Sequence, residues 1–331
     1  MSLTTTDRDK ADEAGEGAHR APERETLVRR RGSKGTWGRP MPYLLTLPTL
    51  LLLAGLLAYP LWRMFAVALQ KFERGQLWGT RPTEWIGIDN YTRLFSDPVF
   101  WDVVRRTALF TVVSVGLSVF FGLCIALLMR RVSPGVRLVM TIAMMLVWAM
   151  PQLVASQVWV WMVDADFGVV NWLIDQIPGV DFAKHSWFAD ELQGWTVITA
   201  LVVWGALPFL AITLYAGLSQ VPRELTEAAT VDGANPWQTF LAVTLPILRP
   251  LIVIVTTLSV IWNFQVFTQI WVLRYSKPEL EYQTLGTYMY TQAFGSGYYG
   301  LGSAISIITV LLMLGVMAFY IRQMFKIGDV E

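Results

Sequence analysis

Apolar and charged positions alternate in long blocks along this chain. Six windows hold no Asp, Glu, Lys, Arg or His: Pro40–Trp62, Thr107–Met129, Leu138–Val163, Leu192–Pro222, Pro250–Leu273 and Tyr282–Ile321. Each reaches the roughly 20 residues that an α-helix needs to cross about 30 Å of hydrocarbon. Lipid offers no partner to free backbone groups, so each crossing must be helical. The first window carries ten leucines between Leu44 and Leu61. At roughly −0.5 kcal/mol each on an insertion scale, they offset its Thr and Pro residues. The last window exceeds one span, and Tyr282–Gly302 is rich in Tyr, Gln, Thr and Gly. The pattern predicts an all-α polytopic membrane protein with six transmembrane helices, at 43–62, 107–129, 138–163, 195–219, 250–273 and 302–320. A polar loop, 220–249, joins the fourth span to the fifth.

Composition agrees: 54% of residues are hydrophobic, 15% are charged, and the mean hydropathy is +0.45. A water-soluble domain of 331 residues needs more charge to cover its surface. Charge also sets orientation. Nine Lys and Arg precede the first window, Arg130, Arg131 and Arg137 follow the second, Arg223 and Arg249 flank the fourth connection, and Arg322 and Lys326 lie in the tail. The third connection holds Lys184 against Asp164, Asp166, Asp175, Asp181, Asp190 and Glu191. By the positive-inside rule both termini and the fourth connection are cytoplasmic. The first outer connection, with Lys71, Arg74, Arg81 and Arg93, dissents but weighs less than the short cytoplasmic connections. The first apolar stretch lies too far from the amino terminus for a cleaved signal and reads as a retained anchor. Residues 1–40, rich in Glu, Arg, Gly and Ala, read as a disordered cytoplasmic tail without an assigned task.

No Asp, Glu, Lys, Arg or His falls inside a span, which argues against coupling to protons or sodium and against a small ion as substrate. What the spans carry instead is aromatic and amide chemistry, with Trp204 in the fourth and Trp262, Asn263, Phe264, Gln265, Phe267, Gln269 and Trp271 in the fifth. Aromatic faces stack on the C–H faces of sugars, and amides serve hydroxyls as donors and acceptors. An interfacial belt competes as a reading for Trp159 and Trp271, and interhelical bonding for the amides. Trp262, Asn263, Phe264, Gln265 and Gln269 are the candidate substrate-pathway residues. Pro151 and Pro208, each in the middle of a span, are expected to bend their helices.

Other chemistry is missing. Cys124 is the one cysteine, and His19 and His185 fall in different compartments, so neither disulfide nor metal site is expected. There is no phosphate-binding Gly-x-x-x-x-Gly-Lys-Ser/Thr loop. Gly295-Ser296-Gly297-Tyr298-Tyr299-Gly300 matches a dinucleotide fingerprint literally, but lacks a surrounding strand–helix unit and reads as a flexible approach to the last span. Asn90-Tyr91-Thr92 matches a glycosylation acceptor only formally.

The fourth connection is the most specific segment. Pro222 suits a first helical position, Glu224 suits a helix start, and Gly233 suits a left-handed helix end. Asn235-Pro236 then caps a second short helix, Trp237–Val243, with Pro246 and Pro250 marking the way into the fifth span. A plain interfacial linker is the competing reading. The run Glu227-Ala228-Ala229, three residues, Gly233, nine residues, Val243, one residue, Leu245-Pro246 resembles the signature of permease subunits of binding-protein-dependent ATP-driven importers, with Val243 in place of Ile. Gly87-Ile88-Asp89-Asn90-Tyr91, Leu94-Phe95, Asp97-Pro98-Val99-Phe100-Trp101 and Gly300–Ile307 are similar to the carbohydrate branch, of maltose or glycerol-phosphate permease type. The likeness covers roughly 43–325, without the large extracytoplasmic domain of some members.

That resemblance implies the ABC type I importer permease fold, with a cytoplasmic coupling helix between spans 4 and 5. Glu227, Ala228, Ala229, Asp232 and Gly233 would contact a separate ATPase, Glu227 by a polar or ionic contact and the small residues by close packing. It also implies a bacterial cytoplasmic-membrane, multi-pass subunit that translocates an oligosaccharide, disaccharide or polyol derivative. The chain would not itself be an enzyme or bind a cofactor; ATP and Mg would sit on the partner. Implied partners are a second homologous permease, two ATP-binding subunits, an extracytoplasmic solute-binding (lipo)protein and membrane lipid, with no nucleic acid. A stand-alone facilitator or ion-coupled secondary carrier is the rival class, and a membrane scaffold or enzyme a third.

Overall fold

The computed structural model describes residues 41–328; the tail expected at 1–40 lies outside them. Helix α1 (Met41–Ala68) covers the first expected span and runs beyond it. Residues to Gly55 form one unit, and Leu56 onward a second. The leucines of α1 are exposed along its length, as a surface facing hydrocarbon must be. Strands β1 (Gln70–Lys71) and β2 (Glu84–Trp85) then pair antiparallel, Gln70 with Trp85 and Lys71 with Glu84, around the short helix α2 (Arg74–Leu77). Asn90, in α3 (Asp89–Phe95), donates to the carbonyls of Ala68 (2.8 Å) and Gln70 (3.0 Å). Its amide is buried and engaged, which removes it as a modification site.

Asp97 caps α4 (Pro98–Arg131) by accepting from the Val99 N–H at 2.9 Å, with Pro98 at the first helical position. At 1.5 Å per residue α4 is about 50 Å long, so the turn bearing Arg105 and Arg106 has room outside the hydrocarbon. The third expected span, 138–163, is not one helix. It divides into α5 (Pro134–Ala149) and α6 (Gln152–Met162), whose axes differ by 100°. The break follows from Pro151. Its ring drives Met150 into extended backbone (φ −70°, ψ 128°), and it has no N–H to continue the ladder.

A small folded connection follows, containing α7 (Val169–Asp175). Trp187 Nε1 donates to Asn171 Oδ1 at 2.6 Å, and Asn171 Nδ2 donates to the His185 carbonyl at 2.8 Å. His185 Nε2 lies 2.6 Å from Gln193 Oε1, so this histidine is held as a structural group. Helix α8 (Glu191–Ser219) passes Pro208 without a break, unlike the third span at Pro151. It packs along α4 at close range: a Cβ on Gly122 would lie 2.7 Å from that of Leu210.

Beyond α8 come α9 (Arg223–Val231), α10 (Pro236–Thr239), a π turn over Phe240–Thr244, and α11 (Leu245–Phe264). The last three form one continuous helix, Pro236–Phe264. Pro246 and Pro250 therefore lie inside a helix that has already begun. The π turn has a local cause. Pro246 has no N–H for the Ala242 carbonyl and its ring crowds that oxygen, so the chain widens and Leu245 N–H donates to Phe240 instead. The fifth span expected at 250–273 is interrupted too. α11 stops at Phe264, Gln265–Phe267 leave helical geometry, and α12 (Thr268–Leu273) resumes.

Helix α13 (Leu285–Tyr290) and a second π turn, Thr291–Gly295, lead to α14 (Tyr299–Gly328). The glycine-rich approach, expected to be flexible, is pinned. Arg74 Nη2 donates to the Gly295 carbonyl at 2.7 Å, and Gly300 N–H donates to that of Phe72 at 2.9 Å. Among the described residues five helices are long and apolar enough to cross a membrane, and six if the bent α5–α6 pair counts as one span. Phe110, Ile198, Leu201, Ile270 and Leu273 form one buried cluster, joining α4, α8 and α12. Ala126, Leu210, Leu214, Leu248 and Val255 form another, joining α4, α8 and α11.

Candidate functional site

Two features stand out, one at each end of the helix Pro236–Phe264. At its start lies a knob. Pro222 is the N-cap of α9, one residue earlier than its preferred first position, and Glu224 sits in the first turn. The helix ends in a complete Schellman motif. Gly233 takes φ +85°, its N–H donates to the Thr230 carbonyl (3.1 Å), and that of Ala234 reaches back to Ala229 (2.9 Å). Asn235 then caps the next helix, its Oδ1 accepting from the N–H groups of Trp237 (3.0 Å) and Gln238 (2.9 Å). Gln238 Oε1 accepts in return from Asn235 N–H at 2.9 Å, closing a capping box. The turn therefore closes its own hydrogen bonds within a few residues.

What the knob presents is an unpartnered surface. Glu227, Ala228, Asp232 and Gly233 are exposed and Ala229 half-buried. Glu227 makes no hydrogen bond or ion pair among the described residues. Val231 is 87% exposed and Trp237 66%, unusual for large apolar side chains on a polar connection. Glu227, Ala228, Ala229, Asp232 and Gly233 all fall on this one knob, which a short turn joins to the continuous helix Pro236–Phe264.

At the other end, α5, α6, α8, α11 and the α11–α12 break surround a cavity of about 400 Å³, within the roughly 300–1,000 Å³ of small-molecule sites. Both broken spans meet it, α5–α6 through Met150 and Gln152 and α11–α12 through Gln265 and Val266. Irregular backbone at membrane depth is tolerated where it is buried or lines such a space. The break is satisfied from within and from afar: Gln265 N–H donates to the Trp262 carbonyl (3.2 Å), and Thr284 Oγ1 donates to that of Val266 (3.3 Å).

Of the expected pathway residues, Trp262, Asn263, Gln265 and Gln269 line the cavity. Phe264 does not. It turns to the opposite side of α11 and packs against the cluster of Leu94, Phe100, Tyr288 and Leu301. Trp271 also lies away from the cavity, stacked on Phe267 at 5.2 Å and edge-on to Tyr290 at 4.9 Å. Sequence reasoning missed Trp148, Gln152, Phe209 and Ser259, which line the wall. Gln152 carried a usable signal, an amide next to a mid-span proline; Ser259 carried another, one helical turn before Asn263. Asn263 Nδ2 donates to the Ser259 carbonyl at 2.8 Å, which leaves Oδ1 free. That Oδ1 and the Ser259 hydroxyl are both buried and without a partner. Such groups cost stability unless something fills them. Among the described residues no group of His, Cys, Asp or Glu is placed to hold a metal.

Away from the membrane, a polar clamp at Arg274 ties the connections together. The Arg274 guanidinium sits between the rings of Phe188 (4.5 Å) and Tyr282 (4.7 Å), and its Nε donates to Glu279 Oε2 at 2.8 Å. That hydrogen bond lowers the Glu279 carboxyl below its usual range. Burial, then the charge of Asp97, pushes the Tyr288 phenol up to about 12.

Residues 114–325 match the family model described as the binding-protein-dependent transport system inner membrane component. The chain is 38% identical over 317 residues to the diacetylchitobiose uptake system permease protein DasB of Streptomyces coelicolor, covering 96% of this chain and 93% of that one. It is 31% identical over 284 residues to the sulfoquinovosyl glycerol transport system permease protein SmoG of Agrobacterium fabrum, covering 86% and 90%. Among solved structures, a bacterial ABC transporter involved in importing the acidic polysaccharide alginate shares the fold, with a TM-score of 0.73, 22% identity, and coverage of 86% of this chain and 95% of that one. The chain belongs to the family of inner membrane components of binding-protein-dependent transport systems.

Proposed function

We propose that this family member is the permease subunit of an ATP-driven sugar importer, in which the knob at Glu227–Gly233 receives the stroke of a separate ATPase and the cavity is this chain's share of the sugar path. The observation that carries the reading is continuity. A hydrogen-bonded turn ties the exposed knob to the continuous helix Pro236–Phe264, which carries the cavity residues Ser259, Trp262 and Asn263, so a push on the knob is passed to the cavity wall. Relatives named for diacetylchitobiose and sulfoquinovosyl glycerol support a sugar as cargo. So does the cavity, whose lining combines the rings of Trp148, Trp204 and Trp262 with the amide side chains of Gln152, Gln265 and Gln269. Hydroxyl-rich ligands pair with such amides and stack on such rings.

In this reading both termini and the knob face the cytoplasm, as the Lys and Arg distribution favours. ATP and Mg bind to two partner subunits, a second homologous permease completes the path, and an extracytoplasmic binding protein delivers the sugar. Glu227 makes a polar contact with the ATPase, Ala228 and Ala229 admit its close approach, and Asp232 and Gly233 shape the turn. A stand-alone carrier would have no use for such a knob. The test is uptake of labelled sugar into vesicles holding the full complex, with and without internal ATP. Glu227→Lys is expected to reduce ATP-dependent uptake at least tenfold while the protein remains inserted. Normal ATP-dependent uptake by that variant would refute the mechanical role.

A further inference from the structure

None of the residues lining the cavity carries a charge. Along the five helices that build it, the charged residues are Arg137, Glu191 and Arg249. Each is ten or more residues from the nearest lining position on its own helix, about 15 Å or more at 1.5 Å per residue. Arg137 is also committed elsewhere, donating to the carbonyls of Met129 (2.8 Å) and Val132 (3.1 Å) and lying over the Tyr215 ring. A carboxylate or sulfonate entering this space would leave water without meeting a cation from this chain, and burial of an unpaired anion is strongly unfavourable. An uncharged ligand meets no such penalty, because Gln152, Gln265 and Gln269 answer hydroxyl and amide groups in kind.

Resting on the sugar reading above, we propose that this cavity is a charge filter, which passes uncharged glycosides and rejects uronates and sulfonated sugars. The filter acts by the absence of a countercharge and needs no repulsive side chain. Selection is then independent of the binding protein, and a permease variant alone can alter it. Gln269 is the position to alter, since it lines the cavity on the short helix beyond the break and is partly exposed.

The test uses the full complex with its binding protein in vesicles. Probes are maltose, cellobiose and N,N′-diacetylchitobiose, each paired with its derivative oxidised at a primary hydroxyl to the carboxylate. Calorimetry on the binding protein sets equal loading, and uptake is compared within each pair. For the imported sugar, the oxidised partner should enter at least tenfold more slowly. Gln269→Arg should raise the ratio of oxidised to neutral uptake about fivefold or more, and Gln269→Met should not. Entry of the carboxylate within twofold of its neutral partner at equal loading overturns the filter. So does a ratio unmoved by Gln269→Arg. If no sugar enters but another solute does, the sugar reading fails; the filter then survives only if that solute is uncharged.

Discussion

Replacement of Gly233 separates two roles that one residue plays. Its φ of +85° is left-handed backbone, which costs an ordinary L-residue about 1–2 kcal/mol. Space within the chain is not the constraint, because a Cβ there would meet nothing within 4 Å. The turn is also held by its two Schellman hydrogen bonds and the Asn235 cap, worth roughly 1 kcal/mol apiece. Gly233→Ala therefore weakens the turn without abolishing it. Gly233→Asn, which tolerates this conformation, should barely disturb it, and a β-branched residue should disturb it most. If the backbone shape alone matters, Asn should restore function. If the knob must seat in a partner's cleft, any side chain is harmful. The expected order of uptake is therefore Gly above Asn, Asn above Ala, and Ala above Val, with Asn already at least threefold down and Val at least tenfold down. ATP hydrolysis stimulated by the binding protein should fall in parallel, while membrane insertion stays at the wild-type level and the unfolding midpoint falls by no more than a few degrees. Wild-type uptake and hydrolysis in Gly233→Val would refute both the conformational and the docking argument.

Three other outcomes follow from the geometry. Asn263→Leu removes a buried unpartnered oxygen, so thermal stability should hold or rise, while the sugar concentration for half-maximal uptake should increase about tenfold; a stability loss with unchanged uptake would contradict the cavity assignment. Pro151→Ala restores a backbone donor at the α5–α6 break and removes the ring that forces it, so uptake should fall several-fold; unaltered uptake would show that the bend does not shape the path. Tyr288 has a folded-state pKa raised to about 12 from 10, so its contribution is complete below pH 10 and lost as pH climbs toward 12. Alkaline melting curves of the purified protein should therefore decline less steeply in Tyr288→Phe than in wild type, and identical slopes would exclude that residue as a cause.

Much of this molecule is written locally. Charge-free windows of twenty or more residues demand helices in lipid whatever their neighbours do, which is why α1, α4, α8 and α14 appear where the pattern puts them. The knob is equally local. A left-handed glycine and an asparagine cap satisfy their own hydrogen bonds within a few residues, so Gly233 and Asn235 could be read from chemistry alone. Trp262, Asn263, Gln265 and Gln269 were legible as polar and aromatic groups out of place in hydrocarbon.

Only the tertiary structure decided how those residues divide. Phe264 sits between Asn263 and Gln265 in sequence, yet helical rotation of about 100° per residue sends it into a different cluster. Pro151 and Pro208 read alike, but one breaks a span and the other does not, because a missing donor can be absorbed or can end a helix according to the packing around it. The interruption at Gln265–Phe267 has no proline to announce it, and the Val266 carbonyl it frees is answered by Thr284, eighteen residues away. The cavity exists because two broken spans meet one intact helix, and relations between distant segments of that kind are fixed by packing rather than by local pattern.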